Sequence, residues 1–350
     1  MDRDPIALRQ AFFDLGPRSL LGLKAPKVWG GAELSPSLFS QFQEAIARYS
    51  GSLAFLQTQH QSAVSKLAHC ENEGLKDQYL RDAIQGNIGL GVGFSQLRRL
   101  GTPLVQAVPV QGGYEIMGQV PWITGYGCFQ FFILGATLPD GQALFGLLPL
   151  ATTTQPTGGC LTLSQPLELA AMMSTNTVTA ELKHWFLSTH HVLDTKSAQW
   201  IHRSDRRNTL NHSFFALGCA RAGLDILDQA ASRSHAVPRL RSTWSVLDQR
   251  LNACRDQIYE AQMNVQNTIS KPLENKTVGI SDTCFEHRLQ LRAKAIDLAV
   301  RCAHAGVIAS KGAANILNHP AQRVYREALA FSVFGQTTAV LDASLAEMCR

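Results

Sequence analysis

The spacing of hydrophobic residues changes twice along the chain. From residue 1 to about 88 the spacing is helical, and Ser35-Pro36 is a typical helix start with proline at the first helical position. From about 89 to 192, short runs of β-branched and aromatic residues are separated by glycine, proline and threonine. From about 193 to 350 the helical spacing returns. The pattern therefore predicts helices, then strands, then helices again.

The middle segment contains two candidate β-hairpins. Gln111-Gly112-Gly113 and Pro139-Asp140-Gly141 are turn sequences, and each separates two apolar runs. The paired runs are residues 105–110 with 114–124, and residues 131–138 with 144–150. Short strands joined by tight turns predict a compact antiparallel barrel or sandwich.

The last segment carries three regular helical stripes, in which apolar residues are three or four positions apart. Their members are Phe214, Leu217, Ala220, Leu224, Leu227 and Ala231; Trp244, Leu247, Leu251, Cys254, Ile258, Ala261 and Val265; and Leu289, Ala293, Ile296, Val300, Ala303 and Val307. Such stripes favour helices that cross at shallow angles. With residues 324–345 as a fourth helix, they predict a four-helix bundle.

The composition is that of a folded protein whose surface is partly covered by another subunit. Charged residues make up 17% of the chain and hydrophobic residues 45%, which argues against disorder and suggests that another subunit covers part of the surface. The predicted last helix supports this, because Leu329, Phe331 and Val333 extend beyond one apolar stripe. We therefore expect a homodimer or homotetramer.

The net charge, the apolar runs and the cysteines limit which partners and which cellular location we expect. The net charge of +5 is small, and its densest cluster, Arg203, Arg206 and Arg207, has no aromatic residues between its members, so we expect no nucleic-acid partner. The longest apolar runs are too short to cross a bilayer, so we expect no membrane. Eight widely spaced cysteines and an N-terminus without an apolar signal region predict a reducing, cytoplasmic location.

Short catalytic and metal-binding motifs do not occur in the sequence. Gly86, Gly89, Gly91 and Gly93 lack the GxGxxG spacing of a dinucleotide-binding loop. None of the eleven histidines stands at metal-ligand spacing from Glu, Asp or Cys, and no GxSxG nucleophile motif is found. We therefore expect no bound metal.

Three longer stretches carry a family resemblance. They are GLKAPKVWGG at 22–31, GGYEIMGQVPWITG at 112–125 and HPAQRVYREA at 319–328. The second is the most specific, and together they resemble the acyl-CoA dehydrogenase family of flavoproteins over nearly the whole chain. The resemblance implies an α+β fold with an N-terminal helical domain (1–88), a middle antiparallel β-barrel (89–192) and a C-terminal four-helix bundle (193–350).

The resemblance also implies a cofactor and the residues that hold it. The family binds FAD between barrel and bundle, with a second subunit completing the site. Its flavin-contacting residues fall here on Trp122, Ile123 and Thr124 at the hairpin end and on Phe94 and Ser95 in another loop; the alternative for Trp122 is an ordinary core residue. Gly312, near the family's turn for the adenine-diphosphate half, and Thr337 complete the set, although Gly312 also fits a plain interhelical turn.

The chain departs from the family at the catalytic base. The usual glutamate, nine residues after the arginine of the Arg-Asp-Ala motif, falls on Gly335, and a glycine cannot accept a proton. Some relatives carry the base on an earlier helix, and that region is 205–212 here. Asn208 aligns best, and Asp205, one turn away, is the candidate base, with a helix N-cap as its alternative role.

These features favour an FAD-dependent oxidoreductase that acts on a small-molecule or acyl-thioester substrate. The missing base and the altered loop that begins at Ser95 speak against standard fatty acyl-CoA dehydrogenation. Two alternatives stay open. One is a flavin-dependent monooxygenase on the same fold, which does not require the carboxylate. The other is a catalytically degenerate homologue that acts as a binding or scaffold protein.

Overall fold

A computed structural model describes residues 2–233, 237–269 and 282–350. Within it the chain forms two compact units, which we call the sheet unit and the bundle unit. The sheet unit comprises Met1–Ser35, Phe55–Leu169 and Met173–Ser204; the bundle unit comprises Pro36–Ala54, Ala170–Met172 and Asp205–Arg350. The three-domain division at residues 88 and 192 stays a prediction.

The predicted N-terminal helices form, and local signals explain where they begin. Helix α1 (Pro5–Phe13) starts with proline, and the Asp4 carboxylate accepts hydrogen bonds from the first free backbone N–H groups. Helix α2 spans Pro36–Tyr49 and α3 spans Gly51–Ala68. A further helical stretch consists of α4 (Glu73–Leu75), a π-helical turn (Lys76–Leu80) and α5 (Arg81–Gln85).

The strands of the sheet unit form one continuous sheet. Their bounds are β1 Leu90–Gly93, β2 Val105–Val110, β3 Gly113–Ile123, β4 Phe131–Thr137, β5 Ala143–Pro149, β6 Thr153–Thr154, β7 Cys160–Leu163, β8 Val178–Ser188 and β9 Val192–Lys196. The order is β6-β7-β8-β3-β2-β4-β5-β9, with β1 beside β4. Both predicted hairpins, β2–β3 and β4–β5, are confirmed as antiparallel pairs.

Two strand pairs differ from the expected antiparallel arrangement. β1 runs parallel to β4 over its whole length, and β2 meets the end of β4 in parallel. Strands β4 and β5 are almost entirely buried, so they read as continuous apolar runs rather than alternating ones. Leu67 on α3 and Phe145 on β5 belong to the same core. Strand β1 leads into the predicted flavin loop at Phe94. Because β1 pairs with the buried strand β4, this loop begins in the core of the sheet unit.

The three helical stripes of the last segment are confirmed. Helix α6 is short (Trp200–Arg207), and the long helices are α7 (Ser213–Arg233), α8 (Pro238–Ile269) and α9 (Asp282–Ala309). Helix α2 packs with them: the Glu44 carboxylate accepts hydrogen bonds from Arg255 Nε and Tyr259 Oη of α8, both at 2.7 Å. A Cβ atom on Gly218 would lie 2.2 Å from the Glu44 carbonyl oxygen, so α7 and α2 meet at their backbones.

The prediction of one continuous helix over 324–345 is wrong. The helix breaks into α10 (Pro320–Phe331) and α11 (Thr338–Met348). Between them Gly335 has φ +56°, a left-handed conformation that a continuous right-handed helix does not contain. Thr337 then caps α11, because its side-chain oxygen accepts a hydrogen bond from the Val340 N–H. The expected catalytic position thus lies in a loop between two helices.

Most of the cysteines are buried in the structure. Within the described ranges no two cysteines form a disulfide, and five of the eight are buried, as expected of small apolar residues. Burial raises the pKa of the Cys128 thiol to about 12. The helices that the structure describes include none with the length and hydropathy of a membrane span.

Candidate functional site

The end of β3 directs Trp122 away from the core. The pairing of β3 with β8 shifts register between Val120 and Ile123, and such a bulge re-aims the side chains beside it. Val120 and Ile123 are fully buried, whereas the indole of Trp122 is 50% exposed. The alternative role of Trp122 as an ordinary core residue is therefore wrong. An exposed, flat aromatic surface is left at the end of the strand.

Thr124, next along the strand end, has a fixed hydroxyl. Its side chain is buried, and Oγ1 lies 3.0 Å from Oγ1 of Thr177, which lies 3.4 Å from that of Thr175. Gly125 follows with φ +101°, and a Cβ atom there would lie 2.3 Å from the Phe129 ring. Only glycine fits this turn, so the hairpin end has a rigid backbone.

The second predicted flavin loop follows β1 and is also held tightly. A short 3₁₀ helix begins at Ser95, and Gln96 Nε2 donates hydrogen bonds to the carbonyl oxygens of Gly93 (3.1 Å) and Gly135 (2.8 Å). A Cβ atom on Gly135 would lie 2.5 Å from that of Phe94, so this loop packs directly on β4. Ser95 Oγ is buried and makes no hydrogen bond with any described residue. Such a group is costly unless a further molecule supplies the partner.

An aromatic cluster supports the loop from behind. The Phe94 ring packs edge-on against Phe145 and Trp200, with centroid distances of 5.7 and 6.4 Å. Lys66 Nζ lies 3.3 Å from the Phe145 ring centroid and 3.2 Å from the Asp194 carboxylate. Burial lowers the pKa of Lys66, although Asp194 opposes this effect. These contacts limit the positions open to the Phe94 side chain.

The structure brings the two predicted loops together in the sheet unit. A Cβ atom on Gly91 would lie 3.2 Å from the Thr124 carbonyl oxygen, and one on Gly93 would lie 3.1 Å from Val120. The hairpin end therefore runs beside the segment that leads into Phe94. Because the Ile123 side chain is fully buried, only its backbone is available to a bound molecule.

The other predicted residues lie in the bundle unit. Asp205 lies in the last turn of α6 and is half-buried, so its alternative role as a helix N-cap is wrong. Thr337 is half-buried and caps α11. Gly312 is exposed in a short 3₁₀ turn, and a Cβ atom there would meet nothing within 4 Å. An open position of this kind is compatible with both predicted roles of Gly312.

Sequence reasoning missed the surroundings of Gly335. A Cβ atom on Gly335 would lie 2.5 Å from His212 Nε2, so the imidazole fills the space into which a side chain at 335 would project. Arg292, which is 3% exposed, donates hydrogen bonds to the carbonyl oxygens of Phe334 (2.6 Å), Gly335 (3.2 Å) and Thr209 (3.2 Å). No spacing in the sequence relates His212 to Gly335, because only the fold joins them.

The glutamate of the 319–328 stretch has a structural role. Glu327 is fully buried, and its carboxylate accepts hydrogen bonds from Arg323 (2.6 Å) and from the Gly51 N–H (3.0 Å). It satisfies the first turn of α3 and is paired with a guanidinium. Within the residues that the structure describes, no group of three or more His, Cys, Asp or Glu side chains is placed to hold a metal ion.

Comparison with known proteins identifies the fold. No protein-family model matches the chain, and no curated protein matches it by sequence. Among solved structures, the butyryl-CoA dehydrogenase of Megasphaera elsdenii is 15% identical with a TM-score of 0.77, covering 97% of this chain and 90% of its own. The FAD complex of PigA is 16% identical with a TM-score of 0.77, covering 97% and 89%. The 3-HSA hydroxylase of Rhodococcus sp. RHA1 is 17% identical with a TM-score of 0.70, covering 99% and 94%.

These similarities extend over nearly the whole chain. They confirm the expected resemblance and the α+β fold class: the chain has the fold of acyl-CoA dehydrogenase-like flavoproteins. At this level of identity the likeness shows the fold alone, because unrelated chemistries share common folds. The function must be argued from the residues of the site.

Proposed function

We propose that this protein is an FAD-dependent oxidoreductase whose reaction does not use a carboxylate at position 335. One observation carries the proposal. The half-exposed indole of Trp122 stands beside the buried hydroxyl of Thr124 on a rigid strand end. It does so in a fold that is seen with FAD in PigA.

The residues of the sheet unit suit a flavin. An isoalloxazine ring offers a flat apolar face and a polar edge, and when bound it accepts and returns electrons during oxidation of a substrate. Trp122 supplies an aromatic surface for the face. Ser95 Oγ, which is buried without a partner among the described residues, and Thr124 Oγ1 supply hydroxyl groups for the edge. Phe94 fixes the loop that carries Ser95.

Other parts of the predicted site are proposals of the same kind. Gly312 would lie against the adenine-diphosphate half of FAD, and Thr337 would help to hold the cofactor. Asp205 is the sequence-based candidate for a base. Substrates would be small molecules or acyl thioesters, since the butyryl-CoA dehydrogenase shares the fold.

We further propose a homodimer or homotetramer. The bundle unit exposes large apolar side chains on the end of α9, on the turn that follows it, on α10 and α11, and in the loop between these two helices. They are Ile308, Ile316, Leu317, Leu329, Val333, Leu341, Leu345 and Met348. An exposed apolar surface of this kind is typical of a subunit interface. A second copy of the chain is the occupant that the family resemblance implies.

A second candidate function is flavin-dependent hydroxylation. It is favoured by Gly335, which offers no proton acceptor, and by the hydroxylase from Rhodococcus among the similar structures. Anaerobic addition of butyryl-CoA to the FAD-loaded protein separates the two reactions. Loss of flavin colour supports dehydrogenation. Unchanged colour, together with substrate-dependent oxygen uptake after chemical reduction, supports hydroxylation.

FAD binding by Trp122 variants tests the proposal. In a fluorescence titration, Trp122→Ala should bind FAD about 10-fold more weakly than the wild type, because a stacking surface is lost. Tyr49→Ala is the control, since Tyr49 is 73% exposed and lies in the bundle unit. Equal affinities for wild type and Trp122→Ala would contradict the proposed site. A protein that binds no FAD would support the scaffold alternative.

A further inference from the structure

The space of the missing catalytic side chain is occupied by an imidazole. An ideal Cβ atom on Gly335 would lie 2.5 Å from Nε2 and 2.7 Å from Cδ2 of His212. These distances are shorter than real Cβ contacts, so any side chain at 335 must displace the ring. His212 therefore projects into the volume where the family resemblance places the carboxylate.

Neighbouring groups fix both sides of this contact. The His212 ring packs against Phe215 (centroid distance 6.0 Å) and Phe334 (6.5 Å). The backbone on the Gly335 side is held by Arg292, which donates hydrogen bonds to the carbonyl oxygens of Phe334 and Gly335. A side chain held on two sides keeps one orientation, as proton transfer requires.

We infer that His212 is the proton-transfer side chain of this site, in place of the carboxylate that Gly335 lacks. The inference rests on the proposed function, because it needs a redox site at this end of the bundle. In the step, a C–H or O–H proton of the substrate passes to Nε2, the electron pair stays with the substrate, and the imidazole becomes imidazolium. Imidazole is suited to this exchange near neutral pH.

His212 explains the local structure better than the sequence-based candidate does. Asp205 lies in the last turn of α6, before the turn that leads to α7. The three atoms nearest to the Cβ position of Gly335 all belong to His212. A glycine at 335 is also what a histidine in this place demands, because a Cβ atom would collide with it.

Charged groups lie on each element that packs near His212, and they enter the interpretation of any titration. They are Asp205 and Arg206 on α6, Arg288 and Arg292 on α9, and Arg323, Arg326 and Glu327 on α10. Arg288 donates hydrogen bonds to the carbonyl oxygens of Arg206 and Arg207. Arg292 donates to those of Phe334 and Gly335.

The test is a nuclear magnetic resonance titration of the full chain with ¹³C-labelled histidine, with and without FAD. The His212 signal is assigned by its loss in His212→Gln, or in His212→Asn if the first variant does not fold. We expect this signal to titrate between about pH 5 and 8 and to shift when FAD is added. His202, exposed on α6 and assigned through His202→Gln, is the control, and its signal should not respond to FAD.

The outcomes separate this inference from the proposed function. FAD binding is measured independently by equilibrium dialysis of the wild type. If FAD binds and the His212 signal neither titrates nor shifts, His212 is only a packing residue and the inference is wrong. If FAD does not bind at all, the proposed function fails and the inference falls with it. A signal that titrates and shifts on FAD binding supports both.

Discussion

The family resemblance links two parts of the molecule to catalysis: the end of β3 and the loop between α10 and α11. The first part has the residues that the resemblance implies, and the second does not. At the end of β3, Trp122 and Thr124 are present, and the turn glycine that fixes them is present as well. In the loop, the resemblance places the glutamate at Gly335, and the His212 ring lies where a Cβ atom on this glycine would project. The proposed cofactor surface agrees with the resemblance, whereas the proposed proton-transfer side departs from it.

The loop around Gly335 combines three features. Gly335 is left-handed, its carbonyl oxygen accepts a hydrogen bond from buried Arg292, and its missing side chain is replaced by the His212 ring. A loop that has only drifted has no need for three matched features. The comparison therefore favours an altered reaction over a decayed site.

A glutamate introduced at position 335 should destabilise the protein. Gly335→Glu must adopt φ +56° and displace His212, so we expect a loss of about 3 kcal/mol in the free energy of unfolding. Gly312→Glu is the matched control: it places the same side chain where nothing lies within 4 Å and should change stability by less than about 0.5 kcal/mol. Urea unfolding measures both. A Gly335→Glu protein as stable as the wild type would show that the loop accepts a base.

A histidine in the sheet unit has a purely structural role and should control pH stability. His60 is fully buried, Nδ1 accepts a hydrogen bond from the Leu90 N–H, and Nε2 donates to the Ala83 carbonyl oxygen. Burial lowers its pKa from 6.5 to about 4. Below pH 6.5 the unfolded chain takes up the proton first, so stability falls as the pH falls from 6.5 to 4, by about 3 kcal/mol.

His60→Gln isolates this contribution, because glutamine keeps a donor and an acceptor but does not titrate. The urea midpoint of the variant should fall less steeply than that of the wild type between pH 6.5 and 4. His212→Gln serves as the comparison and should leave the wild-type slope largely in place. Parallel slopes for wild type and His60→Gln would mean that other groups govern acid unfolding.

The apolar surface of the bundle unit should govern assembly. We expect a dimer or tetramer in sedimentation velocity at micromolar concentration, and Leu345→Lys should weaken association at least about 10-fold by placing a charge in an apolar contact. Ile6→Lys, on α1 of the sheet unit, is the control, since Ile6 is 82% exposed. A wild type that sediments only as a monomer would contradict the proposed assembly.

The smallest expected effect concerns two buried serine hydroxyls. Ser95 Oγ and Ser52 Oγ are both buried without a hydrogen bond to any described residue. Replacing either serine by alanine should leave the protein without FAD equally stable or more stable, by up to about 1 kcal/mol. Only Ser95→Ala should weaken FAD binding, about 5-fold in calorimetry, because the flavin edge loses a donor. Equal loss of affinity in both variants would point to a general effect.

The sequence predicts most of the fold but less of the site. Periodicity finds α7, α8, α9 and both hairpins, because each depends on local patterns that repeat over many residues. It joins α10 and α11 into one helix, because apolar residues continue through the break and a single left-handed Gly335 leaves little trace. His212 was missed for another reason. Its role depends on a contact between distant segments, and no spacing rule records such a contact.

The most direct test of FAD binding is the visible absorption spectrum of the purified protein after incubation with FAD and removal of unbound FAD by gel filtration. We expect the wild type to keep a stoichiometric flavin absorbance band after gel filtration. The Trp122→Ala protein should show a weaker band. A folded wild-type protein that remains colourless under these conditions would contradict the proposed FAD binding.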